Sequence, residues 1–148
     1  MTNFNQKRTW GPEPRYPKVL AWPRAQARNL VVVAGPCSVE GPEQIEKVVS
    51  ELKAVGVDYA RGGVFRAGTY PGDNFGLKKD LTRQWSRACR KAGLKVVMEV
   101  LDVRQAEFQD GLADALQVGA RHMQDYVLLK ELAQLRKPVF LKRAVGAT

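Results

Sequence analysis

An α/β fold on a parallel sheet is predicted by three features of the sequence. Strand-like apolar runs alternate five times with segments of helical period between Leu30 and Lys142. The connections are short, as crossover units require. Charged and polar residues collect just after each strand-like run, where parallel α/β folds bind their ligands.

The first strand is LVVVA, Leu30–Ala34, a continuous apolar run expected of a strand buried on both faces. Gly35-Pro36 breaks it. A helix opens near Pro42, with Glu43 near the positive end of its dipole. Ile45, Val48, Val49 and Leu52 repeat at helical spacing, and Gly56 stops the helix. Val57–Phe65 reads as the second strand.

Lys79–Ala92 reads as the next helix, with Leu81, Trp85, Ala88 and Cys89 on its inner side and Gly93 at its end. KVVMEV, Lys95–Val100, is the third strand, and Val103–Gln109 a short helix. Ala113–Val118 is the fourth strand. Asp125–Gln134 is the fourth helix, with Val127, Leu128, Leu132 and Leu135 as its apolar side. PVFLK, Pro138–Lys142, is the fifth strand. Two architectures fit this order: a complete five-stranded doubly wound sheet, or the first part of a (β/α)₈ barrel, which typically needs about 250 residues.

The 148 residues match one domain, here a folded part over 30–148 behind an arm over 1–29. The arm carries Lys7, Arg8, Arg15, Lys18, Arg24 and Arg28 against Glu13 alone, with prolines at 12, 14, 17 and 23. It reads as a solvated basic lead. The net charge of +9 raises the question of nucleic acid, but no stacking platform or recognition helix appears. No apolar run approaches the roughly 18 residues needed to span a bilayer, and the polar N-terminus is no secretory signal. Cys37 and Cys89 lie in unlike surroundings, which fits a reducing cytoplasm better than a disulfide framework.

The polar residues define one rim. After strand one stand Gly35, Pro36, Cys37, Ser38 and Glu40. Strand two carries Arg61 and leads to Arg66; strand three ends in Glu99 and Asp102. Strand four ends in Gln117, Gly119, Arg121 and His122, and strand five in Lys142 and Arg143. So many cations at one mouth repel each other unless an anion lies between them. Arginine forks suit phosphate or carboxylate, so a small molecule bearing both is the expected guest. Cys37, at a Gly-Pro turn, is placed either as a ligand or nucleophile or as a small buried residue. Cys89 reads as core. No zinc-finger spacing, Walker A, G-x-G-x-x-G or G-x-S-x-G motif is present.

Five ordered segments carry a resemblance: AGPCSVE (34–40), RGGVFRAGT (61–69), EVLD (99–102), LQVGARHMQDYVLLKE (116–131) and PVFLKRAVGAT (138–148). Together they resemble 3-deoxy-D-arabino-heptulosonate 7-phosphate (DAHP) synthase, in the subgroup related to 3-deoxy-octulosonate 8-phosphate synthase. SVE after the cysteine and the GAR-x-MQ block favour the heptulosonate enzyme over its octulosonate relative. The resemblance implies an incomplete (β/α)₈ TIM barrel of about five parallel strands with four intervening helices. It implies a condensation of phosphoenolpyruvate with erythrose 4-phosphate, the first step of the shikimate pathway to aromatic amino acids.

By the same resemblance, Arg61, Arg121 and Lys142 grip phosphoenolpyruvate, and Glu99 lines the pocket. Cys37 is a ligand of a divalent metal of the manganese, iron, zinc or cobalt class. Arg66 stands where the family has a lysine at the reacting centre, which keeps the charge on a bulkier fork. Gly68 replaces an arginine that helps hold the sugar phosphate, while Thr69 is retained. The family's histidine, glutamate and aspartate metal ligands come from later strands, so this chain alone is expected to be inactive. Five open strands leave two edges exposed, which predicts a second copy or a complementary chain as partner. A non-catalytic anion-binding half-barrel is the alternative reading.

Overall fold

The computed structural model describes residues 31–65 and 79–147. The basic arm and the loop holding Arg66, Gly68 and Thr69 lie outside the described residues. Five strands form one parallel sheet in the order β1-β2-β3-β4-β5: β1 Val33–Ala34, β2 Tyr59–Gly62, β3 Lys95–Val100, β4 Ala115–Val118 and β5 Val139–Leu141. The helices between them are α1 Pro42–Val55, α2 Lys79–Lys91, α3 Val103–Asp110 and α4 Tyr126–Gln134, with a short 3₁₀ turn at Ala120–His122.

Strand order decides between the two architectures. A doubly wound sheet reverses its strand order and carries helices on both faces. Here the order never reverses. Ala60, Val96, Met98, Val100, Leu116 and Val118 join one buried cluster with Ile45 of α1, Trp85 of α2, Ala106 of α3 and Leu128 of α4. All four helices therefore cover the same face. On the other face Tyr59, Val97 and Ala115 form a separate small cluster with Val31. This is the singly wound pattern of a (β/α)₈ barrel, in five strands.

Local chemistry sets the element ends. Pro42 begins α1, and Gly56 ends it at φ 76°, its N–H reaching the carbonyls of Leu52 and Lys53. Leu81, Trp85 and Cys89, four residues apart, put the buried stripe of α2 on the sheet. Asp102 caps α3 by accepting the N–H of Arg104, and Asp125 caps α4 by accepting that of Leu128. Two strand starts share one device: Asp58 accepts the Val32 N–H and Asp114 the Val96 N–H, each at 2.8 Å. Each carboxylate ties the start of its strand to the preceding one.

Three expectations need correction. β1 is not buried on both faces; Val33 is 41% exposed, because β1 is an edge with no neighbour on its outer side. Strands two and four are shorter than the apolar runs, since Val57, Asp58, Ala113 and Asp114 serve as lead-ins. Val127 is 72% exposed; Leu128 and Leu132 are the buried contacts of α4, with Leu129 and Leu135 packed beside them. The helical period of that segment admitted two neighbouring stripes, and the sheet takes the one led by Leu128.

Candidate active site

The sheet face opposite the described helices carries the candidate site at the C-terminal ends of its strands. Register aligns Arg61 with Val97 and Glu99 with Gln117, and Gln117 with Phe140. Alternation then puts Arg61, Glu99, Gln117 and, past the end of β5, Lys142 on one face. The Arg61 guanidinium lies 3.7 Å from Glu99 Oε2, both side chains being largely buried. At that separation the pair is an ion pair and not a tight bidentate bond, which leaves donors of the fork for a guest.

Two glycines make this approach feasible. Gly35, at φ 147°, adopts backbone that other residues avoid, and a Cβ there would run into the carbonyl oxygen of Arg61. A Cβ on Gly119 would sit 2.7 Å from Glu99 Oε1. Glu99 thus rests against the bare backbone of the β4 end. Gly63 lies between this carboxylate and the Cys37 loop: its Cβ position is 3.0 Å from the Cys37 carbonyl oxygen and 3.6 Å from Glu99 Oε2. The Val39 N–H donates to the Gly63 carbonyl at 3.0 Å and fastens that loop to the end of β2.

The second part of the rim follows β4 and β5. The Lys142 N–H donates to the Val118 carbonyl at 3.0 Å, one residue before Gly119. Arg121 belongs to the 3₁₀ turn that begins just after Gly119. It lines a cleft of about 310 Å³ with Met123, Gln124 and Ala144–Ala147. Arg121, Lys142 and Arg143 are exposed. A connected path of neighbours therefore runs from the Cys37 loop through Gly63, Glu99 with Arg61, and Gly119 to Arg121 and Lys142.

Cys37 is exposed on its loop, and Cys89 is buried in α2. Burial pushes the Cys89 thiol up to about 12, so it is core and chemically quiet. Among the described residues no group of three or more His, Cys, Asp or Glu side chains gathers where it could hold a metal ion. A single thiolate does not hold a divalent ion firmly, so the described residues do not by themselves make the metal site that the resemblance implies. Asp102, placed on the rim by sequence position, does other work: Arg104 bonds it at 2.7 Å and holds its carboxyl below the usual value.

Gln117 is the site residue that sequence position noted without assigning. It is only 4% exposed, and its Nε2 has no hydrogen-bond partner among the described residues. A buried amide normally finds a partner. The signal was present as one polar residue inside the buried strand ALQV.

Fold and rim together define a (β/α)-barrel unit with cations and one ion-paired acid at the carboxyl ends of its strands. The chain belongs to the DAHP synthetase I family, whose family model matches residues 24–148. Phospho-2-dehydro-3-deoxyheptonate aldolase of Thermotoga maritima is 37% identical over 114 residues, which is 77% of this chain and 34% of that protein. The crystal structure of that aldolase, also named DAHP synthase, matches with a TM-score of 0.72 at 36% identity, over 80% of this chain and 34% of that one. A truncated form of 3-deoxy-D-arabino-heptulosonate 7-phosphate synthase from Thermotoga maritima matches with a TM-score of 0.68 at 33% identity, over 80% and 41% respectively. The chain spans about a third of the length of the curated relative.

Proposed function

We propose that this chain carries the phosphoenolpyruvate half of a DAHP synthase site. The reaction joins C3 of phosphoenolpyruvate to the aldehyde carbon of erythrose 4-phosphate; water adds at C2 of phosphoenolpyruvate, the aldehyde oxygen takes up a proton, and inorganic phosphate leaves C2. Family membership supports this reading, and the observation that carries it is the Arg61–Glu99 pair with Gly119, Arg121 and Lys142 at the neighbouring strand ends. Arg61, Arg121 and Lys142 bind the phosphate and carboxylate of phosphoenolpyruvate, supplying the positive charge that a dianion needs. Glu99 lines the pocket and fixes the Arg61 fork. Arg66 supplies a cation at the reacting centre, and Thr69 contributes to sugar phosphate binding.

A divalent metal bound beside the substrates would supply Lewis-acid polarisation of the aldehyde. Cys37 is offered as one of its ligands, the others coming from outside the described residues. The 148 residues alone accordingly bind phosphoenolpyruvate without turning it over.

Calorimetry with phosphoenolpyruvate, followed by an assay for phosphate release with manganese and erythrose 4-phosphate, tests both halves. Binding without turnover is expected. No binding overturns the functional reading, and turnover at a rate normal for the family overturns the inactivity of the isolated chain. Where turnover is restored, preference for arabinose 5-phosphate over erythrose 4-phosphate would favour the octulosonate enzyme.

A further inference from the structure

The outer face of α2 is basic. Lys79, Arg83, Arg87, Arg90 and Lys91 are exposed on this helix, against Asp80 as its acid. Arg83 bonds Asp80 at 3.0 Å, and Lys79 and Arg83 both lie over the Phe108 ring of α3. Arg87, Arg90 and Lys91 make no ion pair among the described residues. The helix dipole draws cations into a last turn, which accounts for Arg90. Arg87 and Lys91 also border a groove of about 280 Å³ between the second half of α2 and the first turns of α1. Ala88 of α2 and Pro42 and Ile45 of α1 give this groove an apolar lining, and Glu46 stands on its α1 side. None of these residues belongs to the strand-end rim.

We infer that the groove seats an amphipathic helix of another polypeptide, apolar beneath and acidic at four-residue spacing along its α2 side. Arg87 and Lys91 are themselves four residues apart, so two acids one helical turn apart can meet both. The apolar lining offers such a helix a ridge-into-groove seat and does nothing for a bare anion. Glu46 repels a uniform polyanion such as a nucleic acid backbone, whereas a helix can set a lysine against it. Nucleic acid also favours rings on which bases can stack, and Phe108, the ring beside the start of this helix, is already covered by Lys79 and Arg83. A second copy is a poor occupant, because it would set two chains of net charge +9 against each other.

The probe is a fluorescein-labelled peptide of about 18 residues, long enough to be helical on its own. It has an Ala/Leu ridge, Glu at every fourth position along one flank and Lys along the other. Fluorescence anisotropy is followed as the 148-residue chain is added at low salt, without substrate. Saturable binding is expected, weakened at least tenfold when Arg87→Glu and Lys91→Glu are combined, and equally when Gln replaces Glu in the peptide. Ala88→Gln, which fills the groove without adding charge, should weaken it at least threefold. Arg87 and Lys91 are exposed, so the circular dichroism of the charge-reversed chain should match that of the parent. No binding, or binding indifferent to the charge reversal, overturns the inference. Binding unchanged by Ala88→Gln overturns the helical seat, since charge alone would then be at work. A single-stranded RNA held more tightly through the same two cations, or a homodimer that their reversal dissolves, assigns the face to another occupant and overturns it as well.

Discussion

Arg61 and Glu99 meet across adjacent parallel strands, guanidinium to carboxylate at 3.7 Å, with the backbone of Gly119 against the other carboxylate oxygen. One acid is thereby held between a cation and a glycine on three successive strands.

The glycine contact gives the first prediction. Gly119→Ala places a methyl 2.7 Å from Glu99 Oε1 and must displace that side chain. The carboxylate is the far end of a flexible side chain and can swing aside, so the variant should lose only about 0.5–1.5 kcal/mol of stability in denaturant titration. In a Glu99→Ala background the same change should cost less than about 0.5 kcal/mol, because the colliding atom is gone. Equal costs in both backgrounds would show that Glu99 does not rest on Gly119.

The cysteines separate by reactivity. Under native conditions an alkylating reagent followed by mass spectrometry should label Cys37 and spare Cys89 until the chain unfolds. The Cys89 thiol also links stability to alkaline pH. Its value is raised from 9.0 to about 12, so above 9 the unfolded chain releases a proton that the folded chain keeps. Its contribution is complete below pH 9 and is lost progressively between pH 9 and 12. Cys89→Ala should flatten the fall in melting temperature over that window.

Asp102 gives the acid counterpart. Its carboxyl is held low, first by the hydrogen bond from the Arg104 side chain and then by the Arg104 backbone N–H. The unfolded chain takes up the proton first as pH falls, so this contribution is present above the unfolded carboxyl value of about 3.9 and lost below it. The pair is solvent-facing, so the effect is small. Asp102→Asn should reduce the acid slope of stability below about pH 4 and leave phosphoenolpyruvate binding unchanged at pH 7. A loss of binding would return Asp102 to the rim.

The cap of α4 is a further check on local structure. Asp125→Ala frees the Leu128 N–H that it accepts at 3.0 Å and should cost about 1 kcal/mol in thermal or denaturant unfolding. No measurable change would mean that solvent satisfies that amide equally well.

Much of this was legible in the sequence because the deciding effects are local. Pro42, Gly56 and Gly93 punctuate helices wherever they fall, and the spacing of Leu81, Trp85 and Cys89 requires one buried stripe. The strand-end position of Arg61, Glu99 and Lys142 needed only the rule for parallel folds. What stayed hidden depends on neighbours distant in sequence. LVVVA reads alike at the centre or the edge of a sheet, so the exposure of Val33 followed only from strand order. Asp102 and Glu99 look equivalent around the end of β3, yet one caps a helix and the other faces Arg61. The Gln117 amide, whose Nε2 is unpartnered among the described residues, requires three-dimensional bookkeeping that no motif provides.

The central claim is that Arg61, Arg121 and Lys142 act on a single anion. Titration of phosphoenolpyruvate into the parent chain and into Arg61→Ala, Arg121→Ala and Lys142→Ala tests it directly. The prediction is one binding site, with each substitution costing about 1.5–3 kcal/mol, roughly ten- to a hundredfold in affinity. Three variants that bind as the parent does, each still folded, would contradict it.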